Sequence, residues 1–146
     1  MKLVYIAGAL STLGDEQRDA NIMRAEMAGM PVAEAGAMPI IPHPMTRNIA
    51  LAQTEAFWYA GTAELLRRCD AVYVFDVAHV ETSKGTRAEV DLANSLGLPV
   101  FIDLEALRRW VQMHGMREVT PLVAREPIEA GQLVALHPDG TVGPAR

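Results

Sequence analysis

The amino-acid sequence predicts an α/β protein: a doubly wound parallel sheet of about four strands, with a C-terminal β-hairpin extension. Three observations carry that expectation. Short β-branched and aromatic runs alternate with longer segments of helical spacing from Lys2 to Gly115, in the pattern β-α-β-α-β-α-β-α. The short runs are apolar throughout, as strands covered on both faces are. Turn formers (Gly8, Pro42, Asp76, Asp103) follow them. Helices placed between such strands imply a parallel sheet with right-handed crossovers.

The elements follow in order. Lys2–Ala7 (KLVYIA) reads as a buried strand closed by Gly8, and a loop over 9–15 leads to helical spacing from about Glu16 to Ala35. Ile22, Ala25, Met30 and Ala33 are among its apolar positions. Pro31 should kink or split that helix, and Gly36 should end it. Met38–Ile41 is a short second strand stopped by Pro42-His43-Pro44, and a polar connection, Met45–Gln53, precedes a helix near Thr54–Arg68. On that helix Phe57 and Trp58 are expected to pack as core rather than stack on a ligand. Strand three is Ala71–Phe75, a helix over Thr86–Leu96 ends at Gly97, and strand four is Pro99–Ile102. Asp103 is placed to cap a last helix running to about His114 and broken at Gly115. In Thr120–Arg146, turn signals at Glu129-Ala130-Gly131 and Pro138-Asp139-Gly140 flank the strand-like QLVALH. Residues 1–117 are thus expected to form the α/β domain and 118–146 a structural hairpin tail that packs on a neighbouring subunit.

Composition narrows the function classes. Half of the 146 residues are apolar, which argues against disorder. The net charge of −5 and the absence of a Lys/Arg cluster argue against a nucleic-acid polymer as partner. A single cysteine, Cys69, forms no internal disulfide and suits a reducing cytoplasm. The N-terminal apolar run is too short to span a membrane. His43, His79, His114 and His137 are scattered without ligand spacing, so neither a metal nor another cofactor is expected.

The chemistry concentrates where strands end. Ligands of open α/β sheets bind beyond the strands' carboxyl ends, where Gly8–Ser11, Pro42-His43 and the Asp76–Gly85 loop should converge. The segment Val72–Val90 (VYVFDVAHVETSKGTRAEV) passes from a strand through a polar loop to a helix start at Ser83-Lys84-Gly85. A helix start offers unpaired N–H groups and a positive dipole end to an anion. Gly85 permits close backbone approach, Ser83 adds a hydroxyl donor, and Glu89 follows one turn later on the same face. Simple helix capping by Ser83 is the competing explanation. His43 could contact a ligand or stabilise its turn. Asn21 could reach the first loop, and Lys84 and Arg87 could supplement anion binding.

With these elements placed, the chain resembles the nucleoside 2-deoxyribosyltransferase-like superfamily. It is most similar to a small phage- and prophage-associated branch and to the 2′-deoxynucleoside 5′-monophosphate N-glycosidases. The matching residues are Tyr5-Ile6-Ala7-Gly8, Asn21-Ile22, Pro39, Pro42-His43, Leu65–Val72, Ser83-x-Gly85-x-x-x-Glu89 and Leu96-Gly97-x-Pro99-Val100, within residues 2–102. The resemblance implies a flavodoxin/Rossmann-like fold, a small-molecule nucleotide as partner and a homodimer or higher homo-oligomer. It implies Glu89 as the nucleophile at C1′ and Tyr5 as a phenol of the sugar pocket. It also implies Ser83 as a phosphate-reading residue, where nucleoside-acting relatives carry an acid. One position departs: counting eight back from Asp70, where catalytic relatives carry an Asp, lands on Thr62. A threonine is no carboxylic acid; Glu64 points to another helix face, and Glu55 lies two turns earlier. Asp70 itself reads as a structural acid at the far end of its strand. Asp76 or water is the expected substitute in base departure. A nucleotide-binding module without catalysis, or an assembly protein acting through the tail, stand as the other readings.

Overall fold

The computed structural model of the chain describes residues 1–10, 15–115, 134–136 and 142–144. Strands β1 (Leu3–Ala7), β2 (Met38–Ile40), β3 (Ala71–Val74) and β4 (Val100–Phe101) form one parallel sheet in the order β2-β1-β3-β4. Helices α1 (Asp15–Glu34), α2 (Pro42–Met45), α3 (Glu55–Arg67), α4 (Lys84–Ser95) and α5 (Leu104–Gly115) connect and cover them. This is the α/β, Rossmann-like arrangement expected from the alternation. Two further strands, β5 (Val134–Leu136) and β6 (Val142–Pro144), pair antiparallel in a second sheet. The turn signals at 129–131 and 138–140, and the boundary expected between 117 and 118, lie outside the described residues.

Alternation along β1 divides the core. Val4 and Ile6 join Val32 of α1 and Leu107 and Val111 of α5 on one face. Tyr5 and Ala7 join Leu66 of α3 and Ala93 of α4 on the other. Both faces are thus covered, which is why the strand is apolar at every position. Burying large aliphatic side chains such as Ile6, Ile22, Leu66 and Leu107 contributes about 1.5–3 kcal/mol each.

Helix ends follow local chemistry. Gly36 has φ +91° and Gly97 φ +69°, and in each case the next residue's N–H reaches back to a carbonyl of the preceding helix (Ala37 to Val32, 3.2 Å; Leu98 to Ala93, 3.0 Å). These are glycine-terminated Schellman ends. Thr54 caps α3 by accepting the Phe57 N–H, and Asp103 accepts the Glu105 N–H at 2.9 Å.

Several expectations are corrected. Pro31 does not split α1, which runs unbroken to Glu34; the carbonyl that proline leaves without an N–H belongs to Met27, which is exposed to water. Met30 and Ala33 face solvent, and the buried stripe is Ile22, Ala25, Gly29 and Val32. Phe57 is 52% exposed, and neither it nor Trp58 belongs to the core. Pro42–Met45 is a helical turn rather than a plain stop, and 3-10 turns form at Ala50–Ala52 and Val77–His79.

The chain winds from β1 to β2 on one side and then crosses to β3 on the other. The switch point therefore lies between the carboxyl ends of β1 and β3. Asp70 sits at the opposite end, where it accepts the Leu3 N–H (2.8 Å) and pairs with Lys2 (2.9 Å). Burial works to raise its pKa, but these contacts outweigh it and hold the carboxyl below its ordinary value. Its role is structural, as expected.

Gly8 opens the loop at the switch point. A Cβ there would lie 2.1 Å from the Phe75 ring, closer than atoms can approach. Gly8→Ala is therefore expected to destabilise the fold by about 1–3 kcal/mol, the range for overpacking, read from urea-unfolding midpoints. An unchanged midpoint would contradict this packing.

Candidate functional site

A cleft of about 490 Å³ opens beyond the strand ends, a size that suits a small ligand. Gly8 and Leu10 follow β1, Pro42 and His43 follow β2, and Arg18 reaches in from α1. Helix α4 supplies Ser83, Gly85, Thr86 and Glu89 from its first turns. Helix α3 supplies Glu55, Trp58, Tyr59 and Thr62, whose spacing of three, four and seven defines one helical face. Of the segments expected to converge, Gly8 and Leu10, Pro42 and His43, and Ser83 and Gly85 do so, and Ser11 lies outside the described residues.

The central contact joins β1 to α4. The Tyr5 hydroxyl donates to Glu89 Oε1 at 2.6 Å, across 84 residues of sequence. Tyr5 is fully buried, and burial first, then the adjacent Glu89 charge, drive its pKa well above the ordinary 10. The phenol therefore stays protonated and acts as a donor. Burial pushes the Glu89 carboxyl up from 4.5 to about 7, although the Tyr5 hydrogen bond pulls in the other direction. Among the described residues, Glu89 Oε2 is buried without a hydrogen-bond partner. The phenol thus holds one carboxyl oxygen and not the other.

Ser83 is both cap and cleft residue. Its Oγ accepts the Thr86 N–H (3.3 Å) and the Thr86 hydroxyl (2.9 Å), which leaves its own O–H as a donor. Capping therefore does not remove Ser83 from the cleft. Gly85 lies against Tyr59: a Cβ on Gly85 would sit 3.7 Å from that ring, at ordinary contact distance.

His43 is 4% exposed and stands edge-on to Phe75. Its Nε2 lies 2.9 Å from the Gly8 carbonyl, an acceptor, so Nε2 carries the proton. Burial holds the imidazole pKa below 6.5, and the ring is neutral at neutral pH. His43 thus fixes the β1 loop while forming part of the cleft wall.

Other expected residues are placed elsewhere. Asn21 is buried mid-helix, accepting from Gln17 (3.3 Å) and Arg24 (3.5 Å), and Arg24 also pairs with buried Asp76 at 3.3 Å. Neither Asn21 nor Asp76 lines the cleft; they brace Arg24 over the Phe75 ring instead. Asp76 is therefore not positioned as the substitute acid. Arg87 is drawn to Glu81 at 2.7 Å, and neither it nor Lys84 lines the cleft. Trp58 does line it, with its indole N–H held by the Ala50 carbonyl at 2.9 Å. Arg18 and Tyr59 were not anticipated. The spacing of Tyr59 and Thr62 with Glu55 was the available signal; Arg18 had none.

Among the described residues no group of three or more His, Cys, Asp or Glu could hold a metal ion, and no helix is long and apolar enough to cross a membrane. Residues 2–102 match the family model described as Domain of unknown function (DUF4406). No curated protein matches the chain.

The raised Glu89 pKa has a measurable consequence. Between pH 4.5 and 7 the folded protein holds a proton that the unfolded chain releases. The stability this group contributes is fully present below its ordinary pKa and is lost as pH rises through about 7. Glu89→Gln removes that titration while keeping an acceptor for Tyr5. From pH 4.5 to 8, the wild type is expected to lose on the order of 1–3 kcal/mol relative to the variant. Parallel stability–pH curves would contradict the buried, proton-holding carboxyl.

Proposed function

The chain belongs to the DUF4406 family, and we propose that it cleaves or transfers the N-glycosidic bond of a nucleoside 5′-monophosphate, with Glu89 as nucleophile. The observation that carries this reading is Glu89 on the wall of a nucleotide-sized cleft, held from behind by the buried Tyr5 hydroxyl. The resemblance of the sequence to nucleoside 2-deoxyribosyltransferase-like proteins supports it.

In this reading the 5′-phosphate sits at the start of α4, against the Ser83 hydroxyl and the helix's unpaired N–H groups. The fixed Trp58 ring offers the base a flat surface. Glu89 Oε2 attacks C1′ as the bond to the base breaks and its electron pair leaves with the base. The product is a glycosyl ester, formed through an oxocarbenium-like transition state. Tyr5 holds Oε1 and fixes the direction of attack. Water then opens the ester, releasing the sugar phosphate and restoring the carboxylate; another nucleophile in place of water gives transfer.

A second reading, a binding module without turnover, is favoured by Thr62, which places a hydroxyl where the related catalytic enzymes carry an acid. Chromatography after incubation with ribo- and deoxynucleosides and their 5′-monophosphates separates the two. The expected result is free base from monophosphates, lost in Glu89→Ala while ligand-induced thermal stabilisation persists. Undiminished release by Glu89→Ala removes Glu89 from the reaction. Stabilisation without any release establishes the binding module.

A further inference from the structure

Breaking an N-glycosidic bond leaves an electron pair on a ring nitrogen of the base, and a positioned acid accelerates its departure. The carboxyl groups lining the cleft, among the described residues, are those of Glu89 and Glu55. Glu89 is engaged at C1′ and cannot also protonate the base. The remaining cleft groups are poor proton donors. Thr62 is an alcohol, and the Tyr5 phenol is held protonated by burial beside Glu89. Burial and contact with Glu55 also push the Tyr59 phenol above 10. His43 is neutral, with its N–H engaged by the Gly8 carbonyl.

Glu55 is placed for the task. It precedes Thr62 by two helical turns on the same face of α3, and Trp58 lies between them along that face. A base stacked on Trp58 would have its ring edge near Glu55. Tyr59 lies one turn after Glu55 on that face, and the charges of both Glu55 and Glu89 bear on its phenol. Tyr59 thus stands near both carboxyl groups and packs against Gly85 beside the phosphate-side turn. Glycoside cleavage with a covalent intermediate generally divides its work between two such carboxyl groups.

We propose that Glu55 is the general acid that protonates the departing base, an inference that rests on the glycosidase reading of this site. In the first step the Glu55 O–H proton passes to the ring nitrogen as the bond to C1′ breaks and Glu89 Oε2 bonds to C1′. In the second, Glu55, now a carboxylate, takes a proton from the water that attacks C1′ and displaces Glu89. Both groups return to their starting states.

The test compares two leaving groups. An ordinary purine needs a proton to depart; N7-methylguanine, already cationic, does not. Glu55→Gln is expected to lower kcat for an unmethylated purine deoxynucleoside 5′-monophosphate by about 10²- to 10⁴-fold, and to leave kcat for the N7-methylguanine counterpart, corrected for spontaneous loss, close to wild type. Glu55 is exposed at the start of α3, so the variant should fold, and its melting temperature checks this. Equal losses on both substrates would reduce Glu55 to a binding or structural role, and no loss on either would remove it; both overturn the proposal while leaving Glu89 in place. Wild-type protein that releases only the methylated base would show that no acid operates. Release of neither base would overturn the glycosidase reading itself.

Discussion

The site depends on one hydrogen bond, from the Tyr5 hydroxyl to Glu89 Oε1 at 2.6 Å. It joins the central strand to the helix after β3, across the switch point of the sheet. It also resolves a conflict. A carboxyl group buried beside an apolar sheet face would be driven towards its neutral form, and the phenol's hydrogen bond pulls in the opposite direction. The balance leaves Glu89 near 7, where an appreciable fraction is ionised at neutral pH. The same phenol is driven so far from ionisation that it keeps its proton and donates it to Glu89. The pair therefore has one orientation, with Oε2 left over.

The surrounding packing holds that geometry. Gly8 is a glycine because Phe75 occupies the space a side chain would need. Phe75 is met by the His43 ring, and Arg24 lies over its face while pairing with Asp76. His43 closes the loop by donating to the Gly8 carbonyl. Polar residues that look like site candidates in the sequence thus divide into a cleft wall and a brace behind it. At the far end of the sheet, Asp70 ties the start of β1 to the start of β3. The cleft is built at one end of the sheet, and the strands are tied together at the other.

The alternation of apolar runs with helical spacing made the sheet legible, because parallel strands covered on both faces leave few other arrangements. Glu89, Ser83, Gly85, Gly8 and His43 were legible as cleft residues because strand ends and helix starts place them there. Tyr5 was legible through resemblance alone, since a tyrosine on a buried strand does not announce where its hydroxyl ends. Asn21 and Asp76 misled because a polar residue near a strand end looks the same whether it faces a cleft or an arginine behind it. Trp58 misled in the other direction: helix spacing marks a face, but whether that face meets core or cleft depends on how the helix is rotated against the sheet. The persistence of α1 through Pro31 was hidden for a similar reason, since only the structure shows that Met27, whose carbonyl the proline leaves without an N–H, lies on the exposed side of the helix.

The central claim is that Glu89 becomes covalently bonded to the sugar. It is tested most directly by mass spectrometry of the protein after incubation with a 2′-fluorinated nucleoside 5′-monophosphate, whose fluorine slows the opening of a glycosyl ester. The account predicts a mass increase equal to the fluorinated sugar phosphate, localised by peptide sequencing to Glu89 and absent in Glu89→Gln. An adduct on another residue, or base release from natural monophosphates that survives in Glu89→Gln, would contradict it.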